Sequence, residues 1–201
     1  IVDFSKSMDF GKNMTKFKYA GKLGVGFAYL AMKSNDRFEF TTFSDDISPL
    51  KARKGRKQLA SIVNKLNNIK PKGISNFNHS MEKYHNTIKN KSIVVIISDF
   101  LFDLDEIKDG LYWFKKHNLK VIQVLTDDEK NLNVQGDVDL QDAETDANMT
   151  TYISERQKEE YQKELEDHTA DITETVQSLG GRFYSITTEE DIFDAFYHML
   201  A

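Results

Sequence analysis

Hydrophobic positions along the chain alternate between unbroken or every-second-residue runs and a spacing near 3.6. The first pattern marks strands and the second marks amphipathic helices. Ile1 and Val2 read as the last residues of a strand before Asp3. A long helix follows, with Phe17, Ala20, Leu23, Gly24, Phe27, Leu30 and Ala31 at helical spacing. Gly21, Gly24 and Gly26 lower its intrinsic propensity, and close approach of this helix to a sheet is the expected return. Residues 37–43 predict a strand carrying Phe38 and Phe40 on one face, with 47–50 as a short hairpin partner. Leu59, Ile62, Val63 and Leu66 predict one helical face, and 77–88 another helix, with Pro71 and Gly73 as punctuation between them.

Ile93-Val94-Val95-Ile96-Ile97 is a continuous aliphatic run of the kind that forms a central parallel strand buried on both faces. A helix over 105–117 and a strand over 119–125 come next. Residues 126–151 are polar, acidic and without periodicity, and read as irregular. Ser154 with Gln157 is a capping box. It opens a helix on which Tyr161, Leu165, His168, Ile172, Val176 and Leu179 keep one face until Gly180 and Gly181 end it. A strand over 182–186 follows. Thr187 with Glu190 is then expected to cap a last helix carrying Ile192, Phe193, Phe196 and Leu200.

Strands alternating with helices predict an α/β fold of three layers, a mostly parallel central sheet covered on both faces in the Rossmann-like manner. No repeat or flexible linker divides the chain, so residues 1–201 read as a single domain. Its opening in mid-strand reads as the C-terminal fragment of a longer protein, lacking the start of the first strand.

Composition narrows the function classes. Apolar residues at 39% and charged residues at 29% fit a soluble globular domain rather than a disordered chain. With 27 basic and 32 acidic residues the net charge is -5, which supplies no field for nucleic acid or an anionic membrane. There is no cysteine, which excludes disulfides, thiolate metal sites and a cysteine nucleophile. The aliphatic run over 93–97 is far too short to cross a bilayer.

Ligands of such sheets bind beyond the carboxyl ends of the strands. The polar groups expected there are Asp3-Phe4-Ser5-Lys6-Ser7, Ser98-Asp99 and Thr126-Asp127-Asp128. Asp-x-Ser-x-Ser sets one carboxylate and two hydroxyls on a tight loop. These hard oxygens suit Mg²⁺ or Mn²⁺, which retain several waters and so need few carboxylates.

Asp3-Phe4-Ser5-Lys6-Ser7 resembles the metal-ion-dependent adhesion site of von Willebrand factor A domains. Lys72-Gly73-Ile74-Ser75 is similar to the loop that carries that motif's threonine, and Ser98-Asp99-Phe100 to the segment that carries its second aspartate. The likeness extends to a bacterial family of uncharacterised A-domain proteins often encoded beside MoxR-type AAA+ ATPases. It is carried by the segment from Lys51 to Leu59, by Ser98-Asp99-Phe100, and by Asp128-Glu129 followed by Gly136 and the segment from Leu140 to Glu144. The resemblance implies Asp3, Ser5, Ser7, Ser75 and Asp99 as metal-site residues for Mg²⁺ or Mn²⁺. It further implies no catalysis: an open metal position takes a carboxylate from a protein partner, here a MoxR-type ATPase, in a chaperone or assembly role. That association implies a cytoplasmic domain, with a membrane anchor expected only in segments outside this chain. Three departures stand out. Ser75 replaces a threonine and loses the methyl that restrains χ1. Gly73-Ile74 replaces a glycine pair, and Asn76 stands where an aspartate is common.

Plainer readings compete. Asp3, Ser5 and Ser7 could form a helix-capping loop, Asp99 could cap the helix near 105, and Ser75 could be an N-cap. An enzyme reading, a Mg²⁺- or Mn²⁺-dependent phosphohydrolase or nuclease, needs Asp3, Asp99 and Asp127 or Asp128 to cluster. A third reading is a vestigial site. The basic stretch from Lys51 to Lys57 reads as a solvated loop, since no aromatics interleave it. Asp137, Asp139 and Asp142 lack the glycine and spacing of a calcium loop. The five histidines show no paired ligand spacing. His168 is expected at the margin of the core and Trp113 within it.

Overall fold

The computed structural model describes residues 1–132, 136–141 and 148–200. In chain order the elements are β1 (Val2–Asp3), α1 (Lys16–Lys33), β2 (Phe38–Phe43), β3 (Ile47–Arg53), α2 (Arg56–Asn68), α3 (Phe77–His85), β4 (Ile93–Ser98) and α4 (Leu104–Tyr112). Then come β5 (Asn118–Leu125), α5 (Asp127–Asn131), β6 (Gly136–Gln141), β7 (Asn148–Ile153), α6 (Glu155–Ser178), β8 (Arg182–Thr187) and α7 (Ile192–Leu200). Six strands form one sheet in the order β3-β2-β1-β4-β5-β8, parallel except for the antiparallel edge strand β3.

The sheet is buried on both faces, and neighbouring residues of its central strands supply opposite layers. On one side Ile97, Ile122 and Val124 pack with Phe17, Ala20 and Leu23 of α1, Ile62 of α2, and Ala195 and Met199 of α7. On the other, Val94, Ile96, Leu119 and Val121 pack with Phe77 and Met81 of α3, Ile107 and Leu111 of α4, and Ile172 and Val176 of α6. This two-sided burial is why the strands read as continuous aliphatic runs. The three-layer α/β architecture expected from the sequence is the one observed.

Local chemistry sets the element ends. Thr15 accepts a hydrogen bond from the Lys18 amide at the start of α1. Asp103 accepts two amides at the start of α4. Ser154 and Gln157 form the expected reciprocal box on α6. Gly180, at φ +74°, lets the chain leave α6.

Several expectations need correcting. Residues 126–151 are not uniformly irregular: Thr126 and Glu129 form a second capping box, which starts α5, and β6 pairs antiparallel with β7. The signal, Thr with Glu three residues on, was present in the sequence. β3 runs on to Arg53 and α2 starts at Arg56, so the basic stretch is divided between a strand end and a helix start. Thr187 ends β8 and Asp191 caps α7, accepting the Phe193 amide at 2.8 Å. The packed face of α7 is Ile192, Ala195, Phe196 and Met199, while Phe193 and Leu200 are exposed. Val63 is also exposed. Of the three α1 glycines, Gly24 meets the sheet. Gly21 faces Leu66 of α2 and Gly26 faces Phe196 of α7. Among the described residues no helix is long and apolar enough to cross a membrane.

Candidate metal centre

β1 and β4 are parallel neighbours in mid-sheet. The chain leaving β1 enters α1 on one face, and the chain leaving β4 enters α4 on the other. Connections that diverge in this way open a crevice at the carboxyl ends of the two strands. Asp3 is the last residue of β1 and Asp99 the first after β4, so both lie at that crevice.

Asp3 is fully buried. Its Oδ1 accepts the Ser5 amide at 2.8 Å and its Oδ2 accepts the Ser98 hydroxyl at 2.6 Å. The Ser98 Oγ in turn accepts the Phe100 amide at 3.1 Å. Ser98 thereby ties the two aspartate-bearing strand ends together. The Oγ atoms of Ser5 and Ser7 lie 3.0 Å apart at the head of a 3₁₀ turn over Lys6–Asp9.

The loop bearing Ser75 is docked on this turn through its backbone. The Lys72 amide donates to the Phe4 carbonyl at 2.8 Å, and the Lys6 amide donates to the Gly73 carbonyl at 3.0 Å. Gly73 adopts φ +79°, so the turn here needs only this one glycine and tolerates Ile74 beside it. The Ser75 Oγ is buried and has no hydrogen-bond partner. Asp99 is 2% exposed. Its Oδ1 lies 3.4 Å from the Leu101 amide, and its carbonyl accepts the Gln123 side chain at 3.2 Å.

The capping alternatives find little support in this geometry. Glu106 accepts the Phe77 and Asn78 amides at the start of α3, so Ser75 is not that helix's cap. Asp103, not Asp99, caps α4. Ser5 makes no side-chain capping bond to the turn it precedes. All five expected ligands stand at one edge: Asp3, Ser5 and Ser7 on one loop, Asp99 linked to Asp3 through Ser98, and Ser75 on the loop docked beside them.

Electrostatics sharpen the picture. Burial, and then the neighbouring Asp99 charge, push the Asp3 carboxyl up to about 7, against the pull of its hydrogen bonds from Ser98 and Ser5. Two adjacent buried carboxylates, two paired hydroxyls and one orphaned hydroxyl make a set of hard oxygen donors short of positive charge. That set fits Mg²⁺ or Mn²⁺. Among the described residues no three acidic or histidine side chains converge as a metal-holding cluster. Asp128 pairs with Lys12 at 2.7 Å, and Asp127 accepts Asn131 at 2.6 Å while its amide donates to Glu189. The carboxylate cluster that the enzyme reading needs is therefore not formed. The acidic residues Asp137, Asp139 and Asp142 fall on positions whose side chains lie outside the described residues.

Sequence reasoning missed Lys16. This lysine is 1% exposed, and its Nζ lies 2.8 Å from Asp99 Oδ2 and 2.5 Å from Glu129 Oε1. Burial pulls its pKa down, but Asp99 and Glu129 more than offset this, and the ammonium form is favoured. A signal existed: α1 opens with Lys16 and Lys18 and has no acidic residue in its first turn. That is the wrong sign for a helix N-terminus unless carboxylates meet it there. His168 is half-buried at the margin of the core, as expected, its Nε2 lying 2.7 Å from the Phe100 carbonyl.

Residues 1–171 match the family described as "Protein of unknown function DUF58". The chain belongs to the DUF58 family. An uncharacterized Mycobacterium tuberculosis protein is 24% identical over 196 residues, covering 95% of this chain and 62% of its own length. An uncharacterized Mycobacterium avium protein is 30% identical over 103 residues, 51% of this chain and 61% of that protein. This DUF58 chain thus spans about three-fifths of the length of the curated relatives it matches. Two solved structures share its fold. The conserved hypothetical protein BatB from Bacteroides thetaiotaomicron superposes with a TM-score of 0.61 at 13% identity, covering 98% of this chain and 92% of that one. An aerotolerance-related membrane protein from Bacteroides fragilis gives 0.61 at 16% identity, covering 99% and 94%. At these identities the likeness is one of fold, a Rossmann-like α/β sheet.

Proposed function

We propose that this DUF58 domain is a metal-dependent protein-interaction module. Asp3, Ser5, Ser7, Ser75 and Asp99 would hold Mg²⁺ or Mn²⁺, and a partner protein would offer a carboxylate to the position they leave open. The observation that supports this reading is the crevice edge itself, where burial and Asp99 raise the Asp3 carboxyl and the docked loop carries a buried hydroxyl that bonds to nothing in the protein. A bound divalent cation supplies a fixed positive charge in a partly dehydrated cleft, where it attracts an acidic side chain far more strongly than in bulk water. The chain's own residues do the rest. Ser98 and the Ser5 amide hold Asp3 in one orientation, and the bond from Lys6 to Gly73 keeps the serine loops in register.

By its resemblance to A-domain proteins encoded beside MoxR-type ATPases, the partner is a AAA+ ATPase of that type, in a chaperone or assembly role on the cytoplasmic side. One structural neighbour is described as a membrane protein, which agrees with an anchored full-length protein whose soluble domain is this chain. A competing reading, a site retired from metal binding, draws on Lys16 already resting on Asp99.

Calorimetric titration of the chelator-stripped domain with Mg²⁺ and Mn²⁺, beside Asp3→Ala, decides between them. One equivalent bound by the wild type and none by a folded variant supports the module. No binding by a well-folded wild type overturns it.

A further inference from the structure

Resting on the metal-site reading above, we propose that Lys16 is a tethered cation that limits Asp99 to one metal-facing oxygen. The site thereby selects small octahedral ions, Mg²⁺ or Mn²⁺, over Ca²⁺. The argument begins with how many oxygens the carboxylates can still offer. Lys16 Nζ sits on Asp99 Oδ2 at 2.8 Å, whereas Oδ1 has only a long contact of 3.4 Å to the Leu101 amide. Oδ1 is therefore the freer oxygen, and a second metal bond through Oδ2 would bring the ion against an ammonium. Both Asp3 oxygens already accept short bonds, from the Ser5 amide and the Ser98 hydroxyl. Asp3 thus has no oxygen free of a short bond with which to grip an ion bidentately, and Asp99 is left with one. Ca²⁺ takes six to eight ligands and favours bidentate carboxylates; Mg²⁺ takes six in a strict octahedron and keeps waters.

Glu129 completes the device. It holds the ammonium from the far side and is itself locked in the capping box with Thr126, while the Tyr161 hydroxyl donates to its carbonyl at 2.9 Å. The charges of Lys16 and Glu129 cancel, so the pair leaves the attraction of the Asp3 and Asp99 carboxyls for an incoming ion undiminished. Selection comes from denied geometry, not from weakened attraction. The pair also explains why a lysine stands buried at the start of α1 without acidic company on its own helix.

The test compares Mn²⁺ and Ca²⁺ affinities by calorimetry for the wild type, for Lys16→Met combined with Glu129→Gln, and for Glu129→Gln alone. The double substitution removes the pair without changing the net charge. It is expected to tighten Ca²⁺ binding relative to Mn²⁺ by tenfold or more. A purely structural role for Lys16 would move both affinities together and leave their ratio unchanged, and an unchanged ratio in the folded double variant overturns the proposal. Glu129→Gln keeps the clamp but exposes its charge, so it should weaken both ions by tenfold or more at a constant ratio. Should the double variant not fold, a Glu129→Gln protein whose Mn²⁺ to Ca²⁺ ratio differs from wild type overturns the proposal by itself. A wild type that binds neither ion refutes the metal site, which separates that failure from the failure of Lys16 as its selector.

Discussion

Asp3 sets a stability that should run against pH in the metal-free domain. Its carboxyl is moved from an ordinary 3.8 up to about 7, by burial first and by Asp99 second. Between those values the folded protein retains a proton that the unfolded chain has released. Stability therefore falls as pH rises across this window, and the penalty is complete above about pH 7. A shift of about three pH units at ~1.4 kcal/mol each sets an upper bound of about 4 kcal/mol. Asp3→Asn removes the charge at nearly constant shape. Its carbonyl can keep the Ser5 amide, but its amide now faces the Ser98 hydroxyl as a second donor. That hydroxyl must turn its hydrogen away, which takes about 1 kcal/mol from the gain. The expected result is a variant more stable than wild type by about 2–3 kcal/mol at pH 8, on the order of 4–12 °C in Tm for a domain of this size. The advantage should vanish near pH 4. Urea unfolding with a chelator present, from pH 4 to 8.5, measures both curves. Equal slopes for variant and wild type, or a variant less stable at pH 8, would refute the reasoning.

Two further substitutions probe the packing and the orphaned hydroxyl. A Cβ on Gly24 would lie 2.7 Å from the Phe40 ring and 3.3 Å from Val2 Cγ2. Gly24→Ala should therefore destabilise by about 1–3 kcal/mol in urea unfolding despite a helix-propensity gain of about 1 kcal/mol; a more stable variant would show that the helix-to-sheet approach is slack. Ser75→Ala deletes a buried hydroxyl that bonds to nothing in the protein, so the metal-free domain should hold its stability or gain up to about 1 kcal/mol. Mn²⁺ affinity should fall about tenfold in the same variant, and an unchanged affinity would remove Ser75 from the ligand set.

The sequence was most legible where one local rule acted alone. The aliphatic run over 93–97 announced a central strand, buried at Val94, Ile96 and Ile97 although Ile93 at its start is exposed, and Ser154 with Gln157 announced the start of α6. Asp-x-Ser-x-Ser after a strand end located the crevice loop, because polar residues leaving parallel strands gather at one edge. Legibility failed where partners come from distant parts of the chain. Lys16 and Asp99 are 83 residues apart, and Lys16 and Glu129 are 113 apart. No periodicity relates them, and only the wrong-signed charge at the start of α1 hinted at the contact. Phe193 and Leu200 misled for a different reason. On a short, strongly apolar helix nearly every face looks inward, and the sequence alone does not choose among them.

Several departures from local rules meet at one edge of the sheet. An aspartate is buried deeply enough to resist ionisation, and a serine hydroxyl is buried without a partner. A lysine is sealed at a helix N-terminus, and Phe100 adopts φ +53° beside Asp99. Each costs stability taken singly: a lost hydrogen bond, a desolvated charge, a strained backbone. Asp3 and Phe100 stand at or just beyond the ends of β1 and β4, Lys16 bonds to Asp99, and Ser75 lies on the loop whose backbone docks on the residues leaving β1. Away from this edge α4 and α6 carry side-chain caps, and both faces of the sheet are filled by packed helices. His85 Nδ1 is likewise buried without a partner, and Asn35 and Leu132 also take positive φ, but only at this edge do an orphaned hydroxyl, a raised carboxyl, a sealed lysine and a strained backbone occur together, as binding a ligand there would require. That inference stands on burial, charge and geometry, and it would remain without the resemblance of the serine loop to an adhesion site.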